Sequence, residues 1–457
     1  MSRAPKPLSG FPEFLPAQRQ VERQVIESLS RTFELHGFAN IETRAVEPMD
    51  QLLRKGDTSK EVYVLRRLQE TDASSDAGMG LHFDLTVPFA RYVLENAGKL
   101  EFPFRRYQIQ KVWRGERPQD GRFREFVQAD IDIVGQGTLP FHHDIEVTRV
   151  MLSALSGLTG PNAIGLPGFT LQVNNRKLIQ GFYTGLGLSA EDGGIDEAMR
   201  LIDKLDKVPA EQVRAMLLSE AGLSEEQADA CLALAAISTD DDSFVAQVRA
   251  LGVTNELLDE GLDELAKLLR ACAPLVTDQV RIRAELKIAR GLDYYTGTVF
   301  ETRLDGHESL GSICSGGRYD SLASDGRTTY PGVGISFGLS RVLVPLVNKG
   351  VLVANRSVPS AVLVALADEA SRGESDAVAD RLRAHGVPCE VAASAQKFGK
   401  QIRYAERRGI PFVWFTDRDG GHQVKDIRTG EQVAADPDTW SPPETDLKPT
   451  VLHIDNH

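Results

Sequence analysis

Cysteine is scarce in this 457-residue chain, and the few cysteines form no recognisable pattern. The four, Cys231, Cys272, Cys314 and Cys389, are scattered and include no CxxC pair. The nine histidines include no HExxH spacing. We therefore expect neither a disulfide framework nor a structural metal, and a reducing cytoplasm fits this cysteine usage best.

Long apolar segments are also missing. No stretch reaches the ~20 uninterrupted apolar residues of a membrane-spanning helix. The first residues, MSRAPKPLSGF, contain no apolar core of a signal peptide. Hydrophobic residues make up 42% of the chain and charged residues 26%, which is ordinary for a globular protein. We expect about two to four domains and no membrane partner.

Positive charge is scarce overall, because the net charge is −13, yet one segment is strongly basic. Residues 105–124 contain seven arginines or lysines and two acidic residues, a local charge of +5. Local positive charge on an acidic protein indicates an anionic ligand better than it indicates a need for solubility.

The same segment lies in a predicted β-hairpin over residues 104–134, with the turn residues Pro118 and Asp120-Gly121 at its tip. Strand alternation places polar side chains on one face of both arms. These are Arg106, Gln108, Gln110, Arg114 and Glu116, with Val112 among them, and then Phe126, Gln128, Asp130 and Asp132. Arginine pairs with phosphate and an aromatic ring stacks on a base, so this face suits a nucleotide. An ordinary half-exposed sheet is the alternative.

Four stretches resemble the class II aminoacyl-tRNA synthetases. The run RGERPQDGRFREF at 114–126 resembles their strand–loop–strand motif and is most similar to that of the histidyl-tRNA synthetases. RGLDYYTGTVFE at 290–301 and SGGRYD at 315–320 resemble the two signature peptides of that family, the second as a Gly-rich turn. GVGISFGLSRVLV at 332–344 resembles motif 3, although Ser340 stands where the family commonly has an acidic residue.

The resemblance implies an α+β fold. Its catalytic domain, residues 1–183 and 278–350, is expected to have a mostly antiparallel sheet with flanking helices. A helical insertion at 184–277 and an anticodon-binding α/β domain at 356–440 follow from the same resemblance. Strand–helix alternation from 361 to 415 independently predicts a small parallel α/β unit. An amphipathic helix over 17–36 and the strand after it resemble motif 1, the dimer interface of the family.

The implied activity is ATP-dependent ligation of L-histidine to its tRNA through a histidyl-adenylate. The implied partners are tRNA(His), histidine, ATP with Mg²⁺, and a second copy of the chain, with no tightly bound cofactor. A non-catalytic histidine-sensing paralogue is the alternative, but such proteins typically lack the first signature and the anticodon domain. A class II synthetase for glycine, threonine or proline is disfavoured by the string at 290–301.

The resemblance assigns the nucleotide chemistry to five residues. Arg114 and Arg290 are the expected catalytic residues, approaching the α-phosphate and the histidine carboxylate from opposite sides. Glu116 is expected to bind the adenine amino group, Phe126 to stack on adenine, and Arg341 to hold the γ-phosphate.

Histidine binding is assigned to Arg114 and six further residues: Asp84, Thr86, Gln128, Asp132, Tyr294 and Tyr295. The first three of these six are expected at the polar end of the amino acid and the last three at the imidazole. The family often has glutamate at the Asp132 position. Judged from the residues alone, Asp84 is equally suited to cap the helix that begins near Pro88.

Two places are expected to contact tRNA. Gln119 and Arg124 in the hairpin loop are candidates for the acceptor end. In the predicted helix at 398–408, Lys400, Arg403 and Arg407 share one face, and a basic stripe on an acidic protein suits an RNA backbone. A solvated helix face is the alternative, but GKQIRYAERRG and KDIRTGEQV resemble the family's anticodon-binding domain.

Overall fold

The computed structural model describes residues 5–53, 61–68, 78–160, 163–189, 193–288, 295–417 and 419–454. The chain divides into two compact units. The first contains Met1–Pro12 and Ile26–Pro345, and the second contains Glu13–Val25 and Leu346–His457.

A large sheet forms the centre of the first unit. Its strands and a small separate pair are β1 (Ala39–Asn40), β2 (Val46–Pro48), β3 (Met79–Leu81), β4 (Phe104–Trp113), β5 (Glu125–Val134), β6 (Phe169–Asn175), β7 (Ser238–Thr239), β8 (Val280–Glu285), β9 (Tyr295–Leu304), β10 (Cys314–Tyr319) and β11 (Gly332–Phe337). Within the described residues, nine strands pair in the order β1-β4-β5-β11-β10-β9-β6-β8-β7. The pairs are antiparallel except β1–β4 and β6–β8, which confirms the mostly antiparallel sheet that we expected.

Helices flank this sheet and fill the interval before β8. They are α1 (Pro16–Leu35), α2 (Met49–Leu52), α3 (Thr86–Asn96), α4 (His142–Ser156), α5 (Arg176–Gly185), α6 (Gly194–Ile202), α7 (Ala210–Ser219), α8 (Glu225–Ala235), α9 (Phe244–Ala250), α10 (Glu256–Cys272) and α11 (Leu339–Asn348). Helix α1 matches the predicted helix to within one residue at each end. The hydrophobic side of α4 is buried at Val147, Met151 and Leu155, so this helix covers the sheet.

Local rules govern the helices between β6 and β8. Ser224 and Gln227 form a reciprocal capping box that starts α8, as their spacing predicts. In α10 the buried residues recur at helical spacing, including Leu258, Leu262 and Leu265.

Helices α5 and α10 cross closely because each has glycine at the contact. A Cβ atom on Gly181 would overlap the backbone nitrogen of Leu258, and one on Gly261 would overlap that of Leu178. Gly261→Ala is therefore expected to lower the free energy of unfolding by about 1–3 kcal/mol, the usual cost of overpacking.

Differential scanning calorimetry of the full chain would measure this effect. Gly373→Ala is the matched control, because a Cβ atom there meets nothing within 4 Å and alanine favours a helix. An unchanged melting temperature in Gly261→Ala would contradict the close crossing.

A five-stranded sheet forms the centre of the second unit. The elements of this unit are β12 (Leu352–Ala354), β13 (Val362–Val364), α12 (Arg372–Ala384), β14 (Cys389–Val391), α13 (Phe398–Arg408), β15 (Phe412–Thr416), β16 (His422–Asp426), β17 (Gln432–Ala434), α14 (Glu444–Leu447) and β18 (Val451–His453). The sheet order is β14-β13-β15-β16-β17. The first three strands are parallel, as predicted, whereas β16 and β17 add an antiparallel hairpin that we did not predict.

Alternate residues of the parallel strands pack on opposite faces of this sheet. Val362 and Val364 join a core cluster with Val378 and Leu382 of α12. Leu363 joins a second cluster with Ala405 of α13. The sheet therefore lies between these two helices. Within the described ranges, no helix combines the length and apolar character that crossing a bilayer requires.

Candidate active site

The hairpin of β4 and β5 carries the polar face that the alternation predicts. In the strand register, Arg106 lies opposite Asp132, Gln108 opposite Asp130, and Gln110 opposite Gln128. The Arg106 guanidinium is fully buried, and its Nη2 atom lies 2.6 Å from Asp132 Oδ2. Five polar residues of this face are therefore buried, namely Arg106, Gln108, Gln128, Asp130 and Asp132. The face is partly exposed only toward the loop, at Gln110, Arg114, Glu116 and Phe126.

A cavity that we call the loop cavity lies at the end of this hairpin where the loop joins β4 to β5. It is lined by Arg114, Glu116, Gly121, Arg122, Phe123, Phe126, Gln128, Ser312, Ile313, Ser315, Ser336, Gly338 and Arg341. Burial, and then the charges of Arg122 and Arg114, lower the pKa of the Arg341 guanidinium. Three arginines that raise one another's electrostatic energy make this cavity suitable for a multiply charged anion.

Hydrogen bonds hold two of these arginines in place. Arg341 donates from Nε to the Gly121 carbonyl at 3.0 Å and from Nη1 to the Ser312 carbonyl. Arg114 donates from Nε to the Phe83 carbonyl at 3.0 Å, and its guanidinium lies 5.2 Å from the centre of the Phe126 ring. These bonds to backbone oxygens leave both guanidinium groups positioned without fully neutralising them.

Glu116 and Arg122 connect across the same cavity. The Arg122 Nη1 atom lies 3.4 Å from Glu116 Oε2, and the Arg114 Nη1 atom lies 3.9 Å from Glu116 Oε1. From the sequence, Arg122 is only one of the seven basic residues at 105–124. It lies in a loop, where no periodicity predicts the direction of a side chain.

A second cavity, which we call the strand cavity, follows the hairpin from Arg114 toward Asp132. Its lining contains Asp84, Thr86, Arg114, Gln128, Asp130, Asp132, Tyr295, Ser315, Gly316, Gly317, Tyr319, Gly334, Ile335 and Ser336. The structure thus brings together every predicted histidine-binding residue that it describes. Arg114 lines both cavities, so its guanidinium can contact a ligand in either one. Arg290 and Tyr294, also predicted, lie outside the described residues.

Asp84 bonds to the start of α3 and also faces the strand cavity, so the two roles that the sequence left open are compatible. Its Oδ1 atom accepts a hydrogen bond from the Val87 N–H at 3.1 Å, near the start of α3. It also lines the strand cavity. A carboxylate fixed by a backbone donor is well placed to receive an ammonium group.

Asp132 is held from two sides. Besides Arg106, it contacts Tyr319, whose hydroxyl donates to Asp132 Oδ1 at 2.8 Å. Gln128 donates from Nε2 to the Ser336 hydroxyl at 2.8 Å. Tyr319 was not among the predicted site residues, because its approach depends on the pairing of β10 with β11.

Glycines allow the strands around this cavity to approach one another closely. A Cβ atom on Gly334 would overlap Asp132 Oδ1, and one on Gly316 would overlap the Gly334 carbonyl oxygen. We expected a Gly-rich turn at 315–320, but that expectation was wrong, because these residues belong mainly to strand β10, paired on both sides. The glycines serve close strand packing rather than a change of chain direction.

Ser340 takes a structural place beside the loop cavity. Its hydroxyl accepts a hydrogen bond from the Val127 N–H at 2.9 Å, which ties the start of α11 to β5. A hydroxyl here therefore fixes Arg341, the next residue, relative to the hairpin.

The predicted tRNA contacts lie outside both cavities. Gln119 and Arg124 belong to the hairpin loop, where Arg124 donates from Nε to the Glu116 carbonyl at 3.2 Å. Lys400, Arg403 and Arg407 lie on α13 and are exposed. These three line a shallow surface depression together with Gln396 and Glu406.

Known proteins resemble this chain over nearly its whole length. A family model described as histidyl-tRNA synthetase matches residues 10–342, and one described as anticodon binding domain matches residues 343–439. A histidine–tRNA ligase of Cutibacterium acnes is 58% identical, with 98% of each chain covered. One of Micrococcus luteus is 56% identical, covering 97% of this chain and 98% of the relative.

Solved structures agree with these matches. The crystal structure of a histidyl-tRNA synthetase from Nostoc has a TM-score of 0.83 and 33% identity, covering 95% of this chain and 97% of that one. A Bacillus halodurans structure described as an ATP phosphoribosyltransferase regulatory subunit/histidyl-tRNA synthetase has a TM-score of 0.70. At 20% identity, with 88% of this chain and 97% of that one covered, it shows a shared fold alone. By its nearly full-length identity to these ligases and its match to their family model, the chain belongs to the histidyl-tRNA synthetase family.

Proposed function

We propose that this chain joins L-histidine to its tRNA in two steps, with ATP as the energy source. An oxygen of the histidine carboxylate attacks the α-phosphorus of ATP, pyrophosphate leaves, and histidyl-adenylate forms. The 3′-terminal ribose hydroxyl of the tRNA then attacks the activated carbonyl carbon, and AMP leaves. The observation that carries this proposal is that Arg114 lines both the loop cavity and the strand cavity.

The loop cavity fits ATP. Phe126 offers a ring for the adenine, and Glu116 offers a carboxylate for its amino group. Arg114 would contact the α-phosphate and Arg341 the γ-phosphate, while Arg122 is a further phosphate ligand that the cavity suggests. Since the first step brings two anions together, its main demand is electrostatic stabilisation, which Arg114 and the predicted catalytic residue Arg290 would supply.

The strand cavity fits histidine. Asp84, Thr86 and Gln128 would hold the ammonium end, and Arg114 would hold the carboxylate. Asp132, Tyr294 and Tyr295 remain our assignment for the imidazole. Buried polar groups that a substrate satisfies are left unpaired by an apolar amino acid, so such a cavity rejects apolar competitors strongly.

Divalent metal use accompanies ATP in this family, and the loop cavity has a suitable donor. Glu116 lines the loop cavity and supplies a carboxylate beside the proposed phosphate site. Mg²⁺ is usually bound by one or two carboxylates together with substrate phosphates. We assign Mg²⁺ as the ion, entering with ATP and neutralising phosphate charge.

The remaining assignments concern tRNA and assembly. We assign the catalytic domain to residues 1–183 and 278–350, the helical insertion to 184–277 and the anticodon-binding domain to 356–440. Gln119 and Arg124 would meet the acceptor end, whereas the basic face of α13 would meet the anticodon arm. We further propose a homodimer in the cytoplasm, with motif 1 at the dimer interface.

Histidine-dependent exchange between ATP and pyrophosphate, without tRNA, tests the function directly. We expect exchange with histidine and none above background with any other proteinogenic amino acid. The reason is that buried carboxyl groups line the strand cavity. Histidine can satisfy them because it carries both an ammonium group and ring N–H donors. A folded protein that binds histidine but supports no exchange would contradict the proposal and favour a histidine-sensing regulatory role.

A further inference from the structure

In the described part of the chain, one carboxyl oxygen in the strand cavity lacks a hydrogen-bond partner. Asp130 is only 2% exposed and lines the cavity. Among the residues that the structure describes, its Oδ1 atom has no hydrogen-bond partner, although the Ser336 hydroxyl of β11 bonds to the carboxyl group. Asp84 and Asp132, in contrast, are held by Val87 and by Tyr319.

A buried acceptor without a partner is unusual in a folded protein and needs an explanation. Here the atom belongs to a cavity that an amino acid is proposed to fill, so a donor on that ligand would satisfy it. Asp130 was predicted on the polar face of the hairpin but was given no role in binding.

The position of Asp130 along β5 indicates which part of histidine it would meet. Successive residues on one face of a strand lie about 7 Å apart. Gln128 lines both cavities, and Asp130, the following residue on this face of β5, lines the strand cavity alone. A histidine held at its carboxylate by Arg114 therefore extends its ring toward Asp130.

The proposal rests on the histidine activation described above. We propose that Asp130 is a specificity-determining residue whose carboxylate accepts a hydrogen bond from a ring N–H of the substrate histidine. Asp132, fixed by Arg106 and Tyr319, then orients the far side of the ring. An amino acid without a ring N–H leaves the Asp130 oxygen unsatisfied and is rejected for that reason.

Several charged or titratable groups act on Asp130. Asp132 lies on the same strand, and four other groups act on Asp130 from neighbouring segments: Arg106 on β4, Cys314 on β10, the Ser336 hydroxyl on β11 and Asp84 before α3. Arg114 lines the same cavity. Burial, with Asp132 and Asp84, outweighs Arg106 and raises the pKa of Asp130 to about 7. Both protonation states are therefore populated near neutral pH.

This titration gives a sharp test. The ionised carboxylate is the hydrogen-bond acceptor, so tight binding is present above pH 7 and is lost as the pH falls through 7. The KM for histidine in ATP–pyrophosphate exchange is expected to fall roughly tenfold between pH 6 and pH 8 in the wild-type protein, relative to Asp130→Asn. Asparagine keeps the shape and one acceptor oxygen but does not titrate.

The substrate imidazole titrates near pH 6.5 in both experiments, so the ratio of the two KM values cancels its contribution. The same pH dependence in wild type and Asp130→Asn would overturn the inference. Absence of exchange in the wild-type protein at every pH would instead contradict the proposed function, so the two failures are distinguishable.

A second measurement separates ring recognition from a structural role. β-(2-Thienyl)alanine has a five-membered ring without an N–H group. Asp130→Ala is expected to lower the preference for histidine over this analogue, measured as the ratio of kcat/KM values, by tenfold or more. Equal losses on both amino acids would mean that Asp130 only supports the fold, and would overturn the inference.

Discussion

Arg114→Ala is expected to slow formation of histidyl-adenylate by about 100- to 1000-fold, the range seen when one preorganised electrostatic donor is removed. The reason is its place in the molecule. Arg114 lines both cavities, and its Nε–H is fixed by the Phe83 carbonyl. The rest of the guanidinium is available to the carboxylate and the α-phosphate, which we propose to meet at Arg114.

Single-turnover rapid-quench kinetics with saturating ATP and histidine would measure the chemical step. Arg117→Ala is the matched control, because Arg117 is an exposed arginine of the same loop and is not among the residues that line either cavity. If Arg114→Ala leaves the single-turnover rate unchanged, Arg114 has no part in the chemical step. Its place in the lining of both cavities would then contribute to substrate binding alone.

Replacing Lys400, Arg403 and Arg407 together by alanine is expected to raise the KM for tRNA on the order of 100-fold while leaving histidine activation unchanged. The three side chains lie exposed on one helix, α13, and line one shallow depression. If each contacts a phosphate, the slope of log KM against log salt should fall by about 2 to 3, because every contact releases a counterion.

The salt dependence of tRNA charging, measured beside ATP–pyrophosphate exchange, would check both parts of this prediction. Arg381→Ala/Arg383→Ala is a suitable control, because α12 packs against the opposite face of the same sheet. Unchanged charging kinetics in the triple variant would show that the basic face of α13 is merely solvated. Equal losses of exchange and charging would mean that the second unit supports the active site rather than tRNA binding.

Much of the candidate site was predictable because strand alternation is a local rule. A period of two was enough to put Arg106, Gln128 and Asp132 on one face of the hairpin, and the observed register agrees. Helix α1 and the capping box of α8 were predictable for the same reason, since apolar spacing and capping depend on nearby residues.

Other features depend on contacts between distant parts of the chain. Asp130 and Asp132 have the same parity and the same side chain, so strand alternation does not distinguish them. Arg106 on β4 and Tyr319 on β10 hold Asp132, whereas Oδ1 of Asp130 has no hydrogen-bond partner among the described residues. Arg122 acquires its place in the same way, from the folding of the loop beside Arg341.

The sequence by itself therefore determined the family signatures, the fold class, and the face of the hairpin that carries the chemistry, because these depend on local periodicity and on contiguous motifs. The tertiary structure alone decided how the signatures meet. It made the Gly-rich stretch at 315–320 mainly a strand, since Gly316 must lie against Gly334 of β11. It also joined two cavities at Arg114, because the distance between side chains from different strands is set by sheet pairing and not by sequence spacing.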